Sequence, residues 1–512
     1  MFFNILEPGK QPPSTGQSEV YLTIDWWNDY SFITMFNVHA FDEQGQLHDL
    51  GNVKIGFVDQ STDVSTQASI PKRFEELSDS YFSLGMDVDY YQLLVSEFSP
   101  DFLRDYLHAL RDVVSDPANL ERASGQNVFK TSLLRNVSMS VIGGQFKRVL
   151  QGGVPVTDFD FHFVCPQTAQ FAGIDMQFTV KASSKPSTNI HAIIGRNGVG
   201  KTTILNEMTN AITQPENAAG RFRTKGLFQD DVIRPDYFSS LVSVSFSAFD
   251  PFSPPPEQTD PELGPCYFYV GLKHDADESG VLLKSLSDLH QEFLAGFGVC
   301  LSDKGKRQRW LDAIRTLESD ENFAAMSLTS LADITGEDLR LSALALLQRM
   351  SSGHAIVLLT VTKLVEKVEE KTLVLLDEPE SHLHPPLLSA LMRALSELLF
   401  SRNGVAIIAT HSPVILQEIP SSCVWKITRS RLVISTVRPE IQTFGENVGT
   451  LTREVFGLEV VKSGYHTVLI KAVESGASYE QILSEFNQNL GFEARAILRA
   501  MIASRPSTGS VQ

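Results

Sequence analysis

The sequence predicts an α/β fold: a mostly parallel core sheet joined to an antiparallel β subdomain and interrupted by helical insertions. Three observations carry this. Short apolar runs at residues 192–194, 372–376 and 405–409 each end in glycine, carboxylate or hydroxyl residues and alternate with helix-spaced apolar residues, as in strands buried on both faces of a parallel sheet. Strict alternation at Phe159, Phe161 and Phe163, and at Ile174, Met176, Phe178 and Val180, marks antiparallel strands with one buried face. Apolar residues at helical spacing recur through much of residues 71–150 and 282–317.

Taken in order, residues 1–19 are polar and rich in Pro, Gly and Ser, which reads as a loose or docking terminus. Residues 20–24, 31–41 and 52–58 are aromatic and β-branched around a turn signal at Glu43-Gln-Gly-Gln46, and predict an antiparallel meander. Ser99 as N-cap with Pro100 behind it starts a helix continued by Leu103, Leu107 and Leu110. Tyr81, Phe82, Tyr90 and Tyr91 read as core. Residues 71–150 are therefore expected as a helical insertion within a β subdomain spanning 1–190. Residues 191–250 begin the core, with a strand at 241–246. A proline-rich loop at 251–265 opens a helical lobe that runs to 340. Leu282, Leu286, Leu289, Phe293 and Phe297 mark one helix there, and Trp310, Ile314 and Leu317 another. Neither sustains the heptads of a coiled coil, so a compact lobe is expected. Residues 341–440 complete the core and end in a strand pair near 425–437. A helical region at 441–512 closes the chain.

Composition bounds the function. At 512 residues the chain has room for two or three domains. The net charge of −18, from 43 basic and 61 acidic residues, argues against a surface that grips nucleic acid broadly. Any such contact must be local or indirect. Lys304-Gly-Lys-Arg-Gln-Arg309 is the candidate, although a run of this size is more often a solvated helix start. Cys165, Cys266, Cys300 and Cys423 are widely spaced and suggest neither a zinc site nor a disulfide framework, which fits a reducing cytoplasm. The apolar runs are short of the ~20 residues a bilayer requires, so no membrane partner is expected.

The chemistry is concentrated in residues 193–203. Gly195-Arg-Asn-Gly-Val-Gly-Lys-Thr202 fits the phosphate-binding pattern and sits between an apolar run and a helical pattern. Polyphosphate must be wrapped by backbone N–H groups, so Gly195, Gly198 and Gly200 supply bends that a Cβ would hinder. The binding residues are Asn197, Gly198, Val199, Gly200, Lys201, Thr202 and Thr203. Lys201 reaches the β- and γ-phosphates, Thr202 ligates Mg²⁺, and the helix N-terminus faces the anion.

The rest of the site is expected downstream. The run at 372–376 ends in Asp377-Glu-Pro-Glu380, which places a carboxylate at the C-terminal edge of a strand, where open α/β sheets bind ligands. Asp377 holds Mg²⁺, and Glu378 orients and deprotonates the attacking water. Leu387, Leu388, Leu391, Leu395 and Leu398 mark a crossover helix to the next strand. That strand ends in Thr410-His-Ser-Pro413, and it brings His411 to the same edge to sense the γ-phosphate. Met350-Ser-Ser-Gly-His354 opens another helix, and its exposed N–H groups around Ser351 and Gly353 form an anion site.

Together these motifs resemble the heads of ABC-class ATPases. Within that class they are most similar to the branch of the structural-maintenance-of-chromosomes proteins, the recombination-repair ATPases and the OLD nucleases. Asp377-Glu-Pro-Glu-Ser-His-Leu-His-Pro385 looks OLD-like in particular. The resemblance implies ATP as ligand and a homodimer or higher homo-oligomer, in which Ser351 to Gly353 of one copy encloses the nucleotide of another. The glutamine that the class usually places after the strand at 241–246 is missing; the sequence there reads Ser247-Ala-Phe-Asp250, with Asp250 as a weak substitute. No cluster of carboxylates follows residue 423, so no nuclease is expected within this chain. Such a head resembles the ATPase component of anti-phage systems of the Septu or retron-associated type, with a separate nuclease effector as partner. The alternatives are an ATP-gated assembly scaffold with little turnover and a DNA-repair ATPase that binds DNA directly.

Overall fold

A computed structural model describes residues 1–504, apart from 27, 28, 30, 31, 136, 138, 153–156, 168–172, 183, 226–230, 249, 275–281, 431, 432 and 457–463. The strands in chain order are β1 (Phe2–Leu6), β2 (Glu19–Ile24), β3 (Met35–Phe41), β4 (Leu47–Phe57), β5 (Arg73–Phe74), β6 (Tyr81–Gly85), β7 (Phe159–Cys165), β8 (Ile174–Val180), β9 (Ile190–Gly195), β10 (Arg221–Thr224), β11 (Asp231–Val232), β12 (Ser240–Ser245), β13 (Cys266–Gly271), β14 (Thr372–Asp377), β15 (Val405–Thr410), β16 (Val424–Ser430) and β17 (Val433–Val437).

The core sheet has the order β13-β12-β14-β15-β9-β16-β17. It is parallel throughout except for β17, which pairs antiparallel with β16. The apolar runs formed parallel strands because both faces are covered. Ala192, Ile194, Val374, Leu376 and Ile408 face a core shared with the helices Ser352–Lys367 and Pro385–Ser401 and with the lobe helix Lys304–Leu317. Ile193, Leu373, Leu375 and Ile407 face the opposite way, onto the helix Lys201–Thr213 and a second sheet of order β11-β10-β7-β8. Phe161 and Phe178 of that second sheet stack with centroids 5.4 Å apart.

The registers Ser245↔Asp377, Asp377↔Ala409 and Thr410↔Ile194 align the C-terminal ends of β12, β14, β15 and β9 at one edge. Every motif singled out from the core strands meets there.

The N-terminal region, through Leu150, is a separate body with its own core. Its sheet has the order β5-β1-β2-β3-β4-β6, covered by helices such as Val88–Glu97 and Pro100–Ala109. Four expectations change here. Residues 71–150 are not wholly a helical insertion, because β5 pairs with β1 and β6 with β4 in the sheet itself. Residues 1–19 are not a loose terminus, because β1 pairs parallel with β2 and buries Phe3 completely. The expected strand at 31–41 is shorter; Ser31 lies outside the described residues. The β-rich region before residue 190 is two sheets, since β7 pairs with β8 on one side and β10 on the other, and neither β7 nor β8 pairs with the N-terminal strands.

The lobe also departs from expectation. Cys266–Gly271 is a strand at the edge of the core sheet, and the first lobe helix is Leu286–Ser302, with Leu282 outside it and exposed. Nor is the basic run a free patch. Lys306 donates to the Glu366 carbonyl at 2.7 Å and pairs with Glu369, Arg307 pairs with Asp333, and Arg309 pairs with Asp87. The side chain of Lys304 lies outside the described residues.

The two bodies are fastened by buried charge. Asp87 receives Arg309 at 2.7 Å and both arms of Arg402 at 2.7 and 3.0 Å. Glu370 accepts from Arg148 at 2.9 Å and from the Gln145 amide at 3.3 Å. Glu370 and Arg402 lie just before β14 and β15, at the edge of the core sheet opposite the motifs.

Candidate nucleotide site

β9 ends at Gly195, where β16 runs alongside with Gly195 opposite Ile427. A Cβ at Gly195 would strike the Ile427 carbonyl, so the first loop glycine is required by packing as much as by phosphate. Gly198 and Gly200 take φ of 79° and 102°, left-handed values that let the loop curl before the helix Lys201–Thr213. Asn197 is exposed, whereas Val199 is buried in the core behind the loop, so only its backbone is free to face a ligand. Thr202 and Thr203 are half-buried in the first turn.

Lys201 is buried, and its Nζ donates to the carbonyls of Gly195 and Arg196, each at 3.2 Å. Nζ also lies 3.6 Å from Glu378 Oε1, which joins the phosphate loop to the end of β14. Glu378 has φ of 45°, a left-handed conformation uncommon outside glycine, so strain is held at this position.

His411 completes the edge. Its Nδ1 is 3.6 Å from Glu378 Oε1 and 3.2 Å from Glu380 Oε1. The imidazole beside Glu378, with help from Lys201, holds that carboxyl below its ordinary range against partial burial. Glu378 in turn raises His411, again against burial, with Glu380 adding to it. Glu380 had no role assigned from sequence, yet it ties the two strand ends together. Its Oε1 accepts from the Thr410 hydroxyl at 2.6 Å and the His411 amide at 2.7 Å. The signal was present as the fourth residue of Asp-Glu-Pro-Glu, but only the fold shows what it reaches.

Burial pushes the Asp377 carboxyl up to about 6; the Thr202 hydroxyl and Lys201 oppose this, while Glu378 and Asp250 reinforce it. Asp377 Oδ1 is buried and has no hydrogen-bond partner among the described residues. An orphaned carboxylate oxygen beside a threonine hydroxyl fits a hard divalent cation such as Mg²⁺. A small cavity of ≈ 50 Å³ adjoins them, lined in part by Thr202, Asn206, Ser245, Asp250, Lys273 and Asp377.

Lys273 is a second residue that the sequence did not reveal. Buried just beyond β13, it forms an ion pair with the Asp250 carboxylate and donates to the Asp250 carbonyl at 2.9 Å and the Phe252 carbonyl at 2.7 Å. The loop where a glutamine was expected is thus anchored by a lysine. Phe249 lies outside the described residues.

Ser351 is the N-cap of the helix Ser352–Lys367, and Ser351 and Ser352 are exposed. A Cβ at Gly353 would strike the His382 carbonyl, so the glycine allows this helix to sit on the turn that follows Asp377. Among the described residues, Ser351 to Gly353 makes no hydrogen bond to its own phosphate loop. The structure brings Lys201, Thr202, Asp377, Glu378 and His411 to one edge and leaves the Ser351 turn facing solvent.

No helix among the described residues is long and apolar enough to cross a membrane, and all four cysteines are free thiols. A family model described as an AAA domain, putative AbiEii toxin, type IV toxin–antitoxin system, matches residues 313–417. Protein ea59 of Escherichia phage lambda is 51% identical over 527 residues, covering 100% of this chain and 99% of that protein. Among solved structures, an ATP-binding cassette of an ABC transporter in its ADP conformation matches 59% of this chain and 98% of its own at 15% identity, with a TM-score of 0.31. The SMC head domain from Thermotoga maritima matches 55% and 99% at 12% identity and a TM-score of 0.28. The fold assignment rests on the sheet order and the registers above, not on these two alignments.

Proposed function

The chain belongs to the family of the phage lambda protein ea59, and from that premise we propose that it is an ATP-hydrolysing switch that dimerises around ATP. The observation that supports this best is the convergence of Lys201, Glu378 and His411 on one sheet edge, 3.6 Å apart in each pair with Glu378.

The residues divide the work. The loop amides and Lys201 hold the phosphates, and Lys201 neutralises charge that develops on the terminal phosphoryl oxygens. Glu378, kept ionised by His411 and Lys201, accepts a proton from the attacking water and orients it in line. His411 donates to the terminal phosphate and reports its presence. Thr202 and Asp377 would hold Mg²⁺, which supplies charge neutralisation across the phosphates. Ser351 to Gly353, exposed and turned to solvent, would close over the nucleotide of a second copy.

Measuring ATP turnover and ATP binding for the chain and for Glu378→Gln tests the reading. Turnover is expected to fall about 10²–10⁴-fold with binding retained; equal turnover rejects Glu378 as the base. A nucleotide-gated scaffold with little turnover is a second reading, favoured by the missing glutamine and by Asp250 being held by Lys273. It predicts ATP-dependent oligomers with negligible hydrolysis in the unaltered chain. Direct gripping of DNA is disfavoured by the pairing of Lys306, Arg307 and Arg309 within the molecule.

We further infer that the dimer controls a separate effector protein, a nuclease by class, in defence against phage. This rests on the motif resemblance. The relative is itself encoded by a phage, so the target of such a defence would be a competing phage. Co-purification with the product of the adjacent gene is the check; a solitary chain that protects cells alone would reject the separate effector.

A further inference from the structure

The Ser351 turn carries a hydrogen-bonded chain that none of the assignments above uses. Ser351 Oγ lies 2.6 Å from His354 Nδ1. The other nitrogen of that ring, Nε2, lies 3.4 Å from Asp320 Oδ1, and Asp320 Oδ2 lies 2.8 Å from His384 Nε2. Three elements supply these groups: the helix Ser352–Lys367, the N-cap of the lobe helix Glu321–Ala325, and the N-cap of the helix Pro385–Ser401. Asp320 and His354 are buried, Ser351 is exposed, and the His384 side chain is 45% exposed. The chain therefore runs from solvent, through the interior, to the surface of the turn.

Asp320 is its fixed anion. Burial would raise this carboxyl, but hydrogen bonds from the Phe323 amide, His354 and His384 outweigh it and hold it below the ordinary range. The titratable or charged groups facing His354 are Asp320 and His384, with Arg393 one step away through a 3.0 Å bond to Ser319 Oγ. Phe323 covers the ring at 5.3 Å.

Two proton arrangements are compatible with these distances. With His354 neutral, Nε2–H donates to Asp320 and Nδ1 accepts the Ser351 O–H, so that Ser351 presents only lone pairs outward. Phosphate oxygens are acceptors, and that face repels them. With His354 cationic, Nδ1–H donates to Ser351 Oγ instead, and the hydroxyl proton is released to point away from the ring.

We propose that Asp320, His354 and His384 form a positioning relay which makes Ser351 a hydrogen-bond donor to the terminal phosphate of a nucleotide bound by a second copy, and that closing the dimer takes up one proton from solvent at each Ser351 turn, two in the symmetric dimer. The proposal rests on the reading that Ser351 meets the nucleotide of another copy. No bond other than O–H and N–H hydrogen bonds is rearranged, and the proton ends on His354. The closed dimer, with two such turns, binds two more protons than the two open chains, so ATP-driven dimerisation strengthens as pH falls and weakens as pH rises.

The test uses the full-length Glu378→Gln chain with ATP and Mg²⁺, with dimer Kd measured by sedimentation from pH 6 to pH 8.5. His411 titrates in the same window, so the diagnostic is the difference that His354→Gln makes. Removing the linked proton from both copies is expected to lower the slope of log Kd against pH by up to two, that is, up to about a hundredfold per pH unit, with the dimer retained. An unchanged slope in a dimer that still forms overturns the relay and leaves the ATP-closed dimer standing. No ATP-dependent dimer at any pH, with ATP still bound, overturns the closed-dimer reading and the relay with it. His384→Ala, at an exposed position, serves if His354→Gln does not fold. With one of the groups that share Asp320 removed, the slope of log Kd against pH is expected to change with the dimer retained; an unchanged slope overturns the relay.

Discussion

Asp377→Asn should stabilise this protein while disabling it. In the nucleotide-free chain the carboxylate is desolvated, has an orphaned Oδ1, and titrates at about 6 instead of the ordinary 3.8. A carboxyl whose folded pKa is raised binds protons more tightly in the folded state, so it costs stability as pH rises from 3.8, and the cost is fully developed above 6. A shift of about two units corresponds to a penalty on the order of 3 kcal/mol at pH 7.5, and roughly half of that at pH 5. Asparagine removes the charge at nearly the same volume. The assay is urea unfolding of both proteins without nucleotide or divalent metal, at pH 7.5 and at pH 5. The variant is expected to be more stable at pH 7.5, with a narrower margin at pH 5. Adding Mg²⁺ and ATP should reverse the order, because only the carboxylate gains a cation. A variant that is equally or less stable at pH 7.5 would refute the view that Asp377 is held ready for metal at the expense of stability.

Lys201→Ala removes a charged donor from the phosphate cradle and should weaken ATP binding by about 10–100-fold, equivalent to 1.5–3 kcal/mol; a fluorescent-nucleotide titration with unchanged affinity would remove Lys201 from the site. Asp87→Ala removes the carboxylate partner of Arg309 and leaves Arg402 with Glu369 at 3.7 Å; about 3–5 kcal/mol should be lost, and limited proteolysis should separate the N-terminal body from the head, whereas an unaltered cleavage pattern counts against the clamp. Turnover should fall as pH rises through the elevated pKa of His411, since the cation is the donor form, and His411→Gln should flatten that alkaline limb; an identical limb in the variant argues that another group titrates.

The residues proposed to hold phosphate stand out in the sequence because that chemistry restricts residue type and spacing together. Gly198, Gly200, Lys201 and Thr202 are contiguous, and Asp377 and His411 each follow an apolar run that could only be a buried parallel strand. Lys273 and Glu380 were not legible. Each owes its place to pairing between distant segments: Lys273 reaches Asp250 only because β13 lies beside β12, and Glu380 reaches Thr410 only because β15 lies beside β14. β1 was missed for a related reason. Its strand character comes from the partner β2 and from burial of Phe3, while the polar residues after it dominate any local reading. The edge strand β13 has an irregular burial pattern, so its aromatic residues do not alternate cleanly. In the run from Lys304 to Arg309, Lys306, Arg307 and Arg309 are positions where local charge misleads, because their partners Glu369, Asp333 and Asp87 are remote in sequence.

The anchoring of the N-terminal body through Asp87 and Glu370 has a mechanical meaning. Both anchors hold the ends of core strands farthest from the phosphate loop, with Thr157 also tied to Asn403 at 2.9 Å. The N-terminal sheet is thus fastened at the far rim of the head, where it could act as a lever arm. In the proposed dimer, a tilt of the nucleotide edge against a second copy would carry the arm the opposite way, with a displacement that grows with distance from the pivot. A protein gripping the arm would feel the nucleotide as movement, without ever approaching it.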